Sequence, residues 1–202
     1  MNTKNKIVEQ SLKLFFNYGI QHITMDDIAE KCGVSKKTIY KYFENKDDLL
    51  HQIIELQVKE LKEVINKNQL KKINALEELN LFFKYINGLS RNISATFGKE
   101  LKKYHSSIFI KVIKYKKTII LPFVLQNIKK GKEEGLYKKN LNAEGICDSF
   151  DDISKVVFLD GFFNNSGTNK NTLEFLHSLF LHRLVSVKGL KILKDYSENG
   201  AV

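Results

Sequence analysis

Apolar residues recur at helical spacing along most of the chain, and short polar or glycine-containing stretches separate these amphipathic runs. In the first fifty residues the pattern predicts three helices. The first begins at Thr3, its expected N-cap, and ends at Gly19. Thr24 begins the second, and Ser35 caps a short third helix over about residues 36–43.

The remaining pattern predicts further helices, so we expect an all-α fold of about nine helices. Asn45 caps a long fourth helix, and the polar segment 66–74 after it is the expected hinge. Pro122 is expected to kink its helix, because proline removes one backbone hydrogen bond. The helices after the hinge are expected at about residues 75–89, 93–104, 106–135, 142–164 and 171–194.

The composition excludes several classes of protein. Charged residues make up 28% of the chain and hydrophobic residues 43%, which are ordinary globular values. No stretch approaches the roughly 18 consecutive apolar residues of a membrane span, and the first residues lack the apolar core of a signal peptide. We therefore expect a cytoplasmic protein. Cys32 and Cys147 offer no disulfide framework and the five histidines are scattered, so we expect no catalytic site, no metal and no cofactor.

The net charge of +10 favours a polyanionic partner, but its distribution does not locate a binding site. Residues 99–139 carry 12 basic and three acidic groups, or +9, whereas residues 1–50 carry +1. Within the latter, residues 31–46 contain five lysines and one glutamate. The sequence leaves three roles open for the basic segment 99–139: a solvated face, long-range attraction to DNA, or binding of an anionic ligand or lipid head group.

The second and third predicted helices form a helix-turn-helix. Gly33 allows a tight turn, and Val34 fills the gap between the two helices. Ile39 and Phe43 point inward from one face of the third helix, which leaves a polar face for the DNA major groove. That face consists of Lys36, Lys37, Thr38, Tyr40, Lys41 and Tyr42. The alternative is a small three-helix subdomain whose lysines face solvent.

Residues 23–29, 33–43 and 45–46 with Leu49 resemble the DNA-binding head of the TetR/AcrR family of transcriptional regulators. Ser11 is a departure, because the family has a small alanine there. Residues 131–137 look like the end of the family's seventh helix. The resemblance implies a helix-turn-helix DNA-binding domain at residues 1–48 and a helical ligand-binding and dimerisation domain at residues 49–202.

The resemblance also implies roles for individual residues of the head. Thr24 and Lys46 lie at helix amino ends, where free backbone amides suit a phosphate, and the matching family positions clamp the DNA backbone. The other candidates are mixed phosphate and base contacts (Ser35, Thr38, Tyr40 and Tyr42), base readers (Lys36 and Lys37) and a phosphate contact (Lys41). For Tyr42, packing against the first helix is the alternative.

One such head reads DNA weakly, so we expect a symmetric homodimer on a palindromic operator of double-stranded DNA. The eighth predicted helix has two apolar faces and the ninth has one continuous apolar stripe, and a helix with two apolar faces needs a second burial partner. The resemblance implies that they form a four-helix dimer interface, with burial inside one subunit as the alternative. The expected interface residues are Ile146, Phe150, Ile153, Val157, Gly161, Leu173, Leu176, Phe180, Leu184 and Val187.

The family usually holds a small-molecule pocket between its head and its dimer helices. The candidate lining residues are Phe82, Phe83, Ile86, Phe97, Leu101, Tyr104, Phe109, Ile113, Phe123, Phe158 and Phe162, and plain hydrophobic core is the alternative for each. Such a pocket would suit a largely apolar or aromatic ligand. We therefore expect a dimeric repressor that a small-molecule effector releases from its operator. The alternative is a DNA-tethered interaction protein of the same fold with no inducer.

Overall fold

The computed structural model describes residues 2–158 and 169–198, except for the side chains of residues 95, 156–158, 169–171 and 197–198. This part of the chain is helical with no β-strand, which confirms the all-α fold class. None of its helices is long and apolar enough to cross a membrane. The helices are α1 (Thr3–Tyr18), α2 (Met25–Cys32), α3 (Lys36–Tyr40), α4 (Lys46–Leu70), α5 (Ala75–Ser90), α6 (Ala95–Tyr104), α7 (Ser106–Tyr115), a π-helical turn (Lys116–Ile120), α8 (Leu121–Glu133), α9 (Ala143–Phe158), α10 (Asn169–Leu184) and α11 (Val187–Glu198).

Two predicted boundaries in the first fifty residues are wrong. Asn2, not Thr3, caps α1, because its side chain accepts the backbone N–H of Lys4 at 3.1 Å. The third helix ends at Tyr40 instead of Phe43. Residues 41–43 continue as a turn that still brings Phe43 into the core.

The predicted helix over residues 171–194 is two helices. Its apolar spacing continues across the break and no proline marks it, but Gly189 lies just beyond it, where an added Cβ would be 2.2 Å from the carbonyl oxygen of Leu136. The break is made by a tertiary contact, because Ser186 N–H donates to the carbonyl of Leu136 at 2.8 Å instead of to its own helix. The Ser186 hydroxyl then accepts the N–H of Gly189 at 3.2 Å in the first turn of α11.

The π-helical turn lies directly before Pro122, where the sequence predicted a kink. Leu121 N–H donates to the carbonyl of Lys116, five residues back, instead of four. In a regular helix the proline ring would clash with the carbonyl four residues earlier, and a wider turn relieves such a clash. α7 and α8 therefore run on from each other through this turn.

The buried apolar residues form two clusters that share α4. The head core is made by α1 to α3 and the start of α4, and it also contains Phe97, Leu101 and Ile108 of α6 and α7. The body core is made by the later part of α4 with helices α5 and α8 to α11. α4 continues to Leu70, so only residues 71–74 of the expected hinge are non-helical. The division of the chain at residue 48 stays a prediction.

Polar contacts fasten α6 to the turn between α1 and α2. The buried carboxylate of Glu100 accepts the backbone N–H groups of Ile20 at 2.5 Å and Gln21 at 2.9 Å. Gly19 comes so close that a Cβ atom there would lie 2.8 Å from a Glu100 carboxylate oxygen. His105, which follows α6, has its Nε2 3.1 Å from the Gln21 side-chain nitrogen and its Nδ1 2.8 Å from Asp47 Oδ1. The end of α6 is therefore joined both to this turn and to the first turn of α4.

The segment 131–137 is a packing joint of the body. Tyr137 is fully buried, and its hydroxyl lies 3.0 Å from Asn127 Oδ1 and 3.2 Å from the carbonyl of Ala75. Burial raises the pKa of this hydroxyl well above its ordinary value, so it stays a neutral donor. The ring packs on Gly131, where an added Cβ would lie 2.2 Å from a ring carbon. Only glycine leaves room for the ring at this point of α8.

We expect Gly131→Ala to destabilise the protein by about 1–3 kcal/mol, because the new methyl group forces the Tyr137 ring out of its site. Gly88→Ala is the matched control, since Gly88 is also helical but has nothing within 4 Å of its added Cβ. That change should stabilise the protein by about 0.5–1 kcal/mol. Chemical denaturation measures both, and equal effects of the two changes would contradict the packing argument.

Candidate nucleic-acid interface and ligand cavity

The amino end of α2 is closed by a reciprocal cap between Thr24 and Asp27. The Thr24 hydroxyl accepts the N–H of Asp27 at 3.2 Å, and the Asp27 carboxylate accepts the N–H and the hydroxyl of Thr24, each at 2.7 Å. These bonds lower the pKa of the Asp27 carboxyl, the backbone N–H of Thr24 having the largest effect. The Thr24 hydroxyl has already donated its hydrogen, so the free backbone amides of this helix end are the donors left for a phosphate.

α3 begins through a tight turn that presents its polar face to solvent. Gly33 is left-handed with φ 64°, and Val34 packs against the head core, as predicted. The Ser35 hydroxyl accepts the N–H of Thr38 at 3.1 Å and shares a 2.8 Å hydrogen bond with the Thr38 hydroxyl. Ile39 on the opposite face is fully buried. The exposed candidates are Ser35, Lys36, Lys37, Tyr40, Lys41 and Tyr42, and Thr38 is half-buried.

Lys36 pairs with a carboxylate inside the head. Its Nζ lies 2.8 Å from Asp26 Oδ2, which joins α3 to α2, and this hydrogen bond raises the pKa of the Lys36 ammonium. Both side chains are exposed, so the pair contributes little to stability and can open for another partner. Lys37 forms no ion pair within the described residues, and it is the freer of the two predicted base-reading lysines.

Lys46 makes two hydrogen bonds within the head that sequence reasoning missed. Its ammonium donates to the carbonyls of Ile20 at 2.9 Å and Ile23 at 3.1 Å. The side chain therefore ties the first residue of α4 to the turn that leads into α2. An ammonium has three donors, so one remains for a phosphate at the start of α4.

A cavity of about 270 Å³ lies between the head and the body, and mainly apolar side chains surround it. It brings together α4 to α7, the π-helical turn, α9 and α10, with Phe16 of α1 at one side. Six of the predicted ligand residues line it: Phe82, Ile86, Phe97, Leu101, Phe109 and Ile113.

Other predicted ligand residues lie elsewhere. Tyr104 is 52% exposed at the end of α6 and does not line the cavity, which contradicts its assignment. Phe83 and Phe123 are buried in the body core behind the lining residues, with Phe123 packed on Phe82 at 4.9 Å between ring centroids. The Phe158 side chain and Phe162 lie outside the described residues.

The charged groups at the cavity wall are already paired. Tyr115 donates its hydroxyl to Glu55 Oε1 at 2.5 Å, and Lys111 Nζ lies 2.5 Å from the same oxygen. The hydrogen bond from Lys111 has the largest effect in lowering the pKa of Glu55. Lys116 on the π-helical turn lies 2.6 Å from the Asp151 carboxylate. A ligand in the cavity would therefore meet no unpaired charge among these groups.

His177 is one of the uncharged polar residues of the cavity wall, together with Gln57 and Ser154. Its ring stacks on Phe83 at 4.0 Å and 9°, and burial lowers its pKa to about 3. The imidazole is therefore uncharged at neutral pH. Its Nδ1 is buried and has no hydrogen-bond partner among the described residues, so it offers one unused polar contact.

Five residues expected in a dimer interface line the cavity of their own subunit: Phe150, Ile153, Leu173, Leu176 and Phe180. Leu184 is fully buried in the body core, which leaves no surface there for a partner. Ile146 packs against the same core, and Val187 lies 79% exposed on α11. The Val157 side chain and Gly161 lie outside the described residues. For the inward stripe of α10 this packing favours the alternative of burial inside one subunit, and the dimer interface itself stays a prediction.

The opposite face of α10 carries apolar residues that the sequence analysis missed. Phe175 and Leu179 are one helical turn apart and are 61% and 50% exposed. Apolar residues thus occupy both sides of α10, one side facing the cavity and the other facing solvent. The signal for this second face in the sequence is the i, i+4 spacing of Phe175 and Leu179, which lies beside the longer and more continuous apolar stripe of the same helix.

Three comparisons place this geometry among known proteins. Residues 7–53 match the family model described as bacterial regulatory proteins of the tetR family. A curated relative, the biofilm operon negative transcriptional regulator IcaR of Staphylococcus aureus, is 30% identical over 84 residues, which are 41% of this chain and 45% of IcaR. The first curated relatives are matched over only 53% and 33% of their own length.

Solved structures share the fold along nearly the whole chain. A TetR-family regulator from Agrobacterium tumefaciens has a TM-score of 0.74 at 15% identity, with 91% of this chain and 98% of that chain covered. The regulator FadR of Bacillus subtilis, solved in complex with stearoyl-CoA, has a TM-score of 0.66 at 21% identity, with 90% and 97% covered. The head thus matches the family model of the TetR regulatory proteins over residues 7–53, and the described chain shares its fold with a solved TetR-family regulator.

Proposed function

We propose that this protein is a dimeric transcriptional repressor that a small, uncharged, largely apolar ligand releases from a palindromic operator. The observation that carries the proposal is the exposed polar face of α3, with Lys37 and Tyr40 free and Ile39 buried behind them. A slender helix with a polar outer face is what the major groove accepts. The amino ends of α2 and α4 flank it and supply backbone amides for phosphates.

Repression is supported by relatives. IcaR, which is 30% identical to this chain over 84 residues, is named a negative transcriptional regulator. A repressor of this kind needs two heads set one DNA turn apart, roughly 34–36 Å or a multiple of it. We assign the pairing surface to the exposed face of α10, because Phe175 and Leu179 are the apolar residues there that the subunit itself leaves uncovered.

The cavity supports a ligand-responsive regulator over the alternative of an interaction protein without an inducer. Its volume is close to the roughly 300 Å³ at which small-molecule sites begin. The FadR structure holds stearoyl-CoA, which shows that this fold can take a ligand with a long apolar part. Here the paired charges and the neutral His177 favour an uncharged ligand with an apolar or aromatic body and one polar group.

We expect the double change Lys37→Ala and Tyr40→Ala to weaken binding to the operator about a hundredfold or more, because each good base contact contributes roughly 1–3 kcal/mol. The operator is obtained by selecting bound duplexes from random DNA, which should yield an inverted repeat. Lys13→Ala with Tyr18→Ala is the matched control, since both residues are exposed on α1. If both double variants bind the duplex like the wild type, α3 does not read DNA.

We expect Leu179→Glu to convert the dimer into a monomer, because a carboxylate placed in an apolar interface would lose its hydration. Sedimentation velocity measures the change in mass. Ile110→Glu is the control, since Ile110 is equally an exposed apolar residue but lies on α7. A Leu179→Glu variant that remains dimeric would place the interface elsewhere.

We expect 1-naphthol, an uncharged aromatic probe, to raise the melting temperature of the protein more than its charged analogue 1-naphthoate. A charged ligand would be buried against a wall whose own charges are already neutralised. Val112→Phe should abolish the effect of 1-naphthol, because it fills the cavity from α7. Ile110→Phe, on the exposed side of the same helix, should leave it unchanged. Equal shifts with both probes would rule out the proposed preference for an uncharged ligand.

A further inference from the structure

The two lysines that begin α3 look equivalent in sequence, but they lie at different places on the helix. An α-helix turns by about 100° per residue, and the buried Ile39 marks its inner side. Lys37 lies about 160° from Ile39 and therefore at the centre of the exposed face. Lys36 lies only about 60° from Ile39, at the edge of that face. The centre of the face, and not its edge, points to the floor of a groove that the helix enters.

A carboxylate of α2 holds the side chain of Lys36 at this edge. Its Nζ lies 2.8 Å from Oδ2 of Asp26, which belongs to the first turn of α2. Exposed pairs of this kind are individually weak, but a base contact from the edge of the face would be equally exposed. The carboxylate is part of the head and stays within reach of the lysine, whereas a base edge comes within reach only in one register on DNA. A base would therefore have to take the ammonium from a partner that is always present.

The same ion pair sets the charge that this edge presents to DNA. The Asp26 side chain is 66% exposed beside the polar face of α3, where its carboxylate would repel the phosphates of a bound duplex. The Lys36 ammonium neutralises it, so the two side chains together contribute no net charge. Lys37 is exposed and forms no ion pair within the part of the chain that the structure describes.

We propose that Lys37 is the lysine of α3 that determines operator specificity, and that Asp26 excludes Lys36 from base reading by keeping its ammonium at the edge of the helix. This division of roles rests on the proposed function, because it requires α3 to lie in the major groove. There Lys37 faces the base edges, where guanine presents O6 and N7 to a lysine. Asp26 is then a positioning residue that acts on specificity through Lys36. The sequence-based expectation that both lysines read bases is thereby narrowed to one.

The first test compares the same change at the two adjacent positions, Lys36→Gln and Lys37→Gln, each of which removes one positive charge. For each variant, Kd is measured for the duplex recovered by selection and for a random-sequence duplex of equal length. The specificity ratio is the second Kd divided by the first. It reports base recognition, because phosphate contacts carry no sequence information directly. The melting temperature of each variant shows that it is folded.

We expect Lys37→Gln to lower the specificity ratio about tenfold or more, since one good base contact discriminates by a factor of this size. Lys36→Gln should leave the ratio unchanged. Its affinity for both duplexes should fall alike, by about fivefold or less, because the Asp26 carboxylate loses the charge that neutralises it near the phosphates. Selection from random DNA should return the wild-type inverted repeat for Lys36→Gln and a repeat that has lost one base preference for Lys37→Gln.

The second test asks whether Asp26 restrains Lys36. Asp26→Asn releases the ammonium, which can then neutralise a phosphate and should add about 0.9 to the slope of log Kd against log KCl concentration on the random-sequence duplex. Glu30→Gln is the matched control, since Glu30 is exposed one turn later on the same side of α2 and the change in net charge is equal. It should leave the slope unchanged. The increase should disappear when Asp26→Asn is combined with Lys36→Gln, and Asp26→Glu, which keeps the carboxylate, should have the wild-type slope.

A specificity ratio that falls as much for Lys36→Gln as for Lys37→Gln, or that falls for neither, would overturn the proposal. Equal slopes for Asp26→Asn and Glu30→Gln would overturn it as well, because Lys36 would then be unrestrained in the wild type. A wild-type protein for which selection recovers no preferred duplex would instead refute the proposed function itself.

Discussion

Two charged side chains hold the turn between α1 and α2, and the position of the DNA-reading head depends on them. Glu100 accepts two backbone N–H groups of this turn, and Lys46 donates to two of its carbonyls. Hydrogen bonds of this kind, with one ionised partner, are about twice as strong as neutral ones. Gly19 lets Glu100 approach, because φ there is 85° and a side chain would collide with the carboxylate. The turn is thus fixed from the body on one side and from α4 on the other.

The same helix that holds this turn also forms part of the cavity wall. Phe97 and Leu101 of α6 face the cavity, and Glu100 between them faces the head. Tyr115 makes a similar link, because it lines the cavity and donates to Glu55 on α4. A ligand that displaced either helix would have to strain these short hydrogen bonds. Through these hydrogen bonds, the helices that line the cavity are connected directly to the head. A ligand would shift the position of the head only if it bound two arrangements of these helices with unequal affinity.

Sequence reasoning worked best where the signal is local. Thr24, Ser35 and Asn45 were recognised as caps because each lies next to the N–H groups that it accepts, and all three have that role. It was less informative on α10, where the longer apolar stripe was expected to meet a partner subunit and three of its residues, Leu173, Leu176 and Phe180, line the cavity. Because both faces of that helix are apolar, helical periodicity alone does not show which face points into the subunit. It also missed the break before α11, because Leu136, fifty residues earlier in the chain, causes it.

The sequence by itself determined the all-α class, the helix-turn-helix and the resemblance of the head to the TetR family, because caps, turns and helical periodicity arise between residues a few positions apart. Only the tertiary structure decided which charges are free. Lys46 and Glu100 lie 54 positions apart, yet they hold the same turn. The lysines of residues 99–139 look alike in sequence, but Lys111 and Lys116 form ion pairs inside the fold, whereas Lys117 is exposed on the π-helical turn. Pairing depends on which helices pack together, and that is a property of the folded chain.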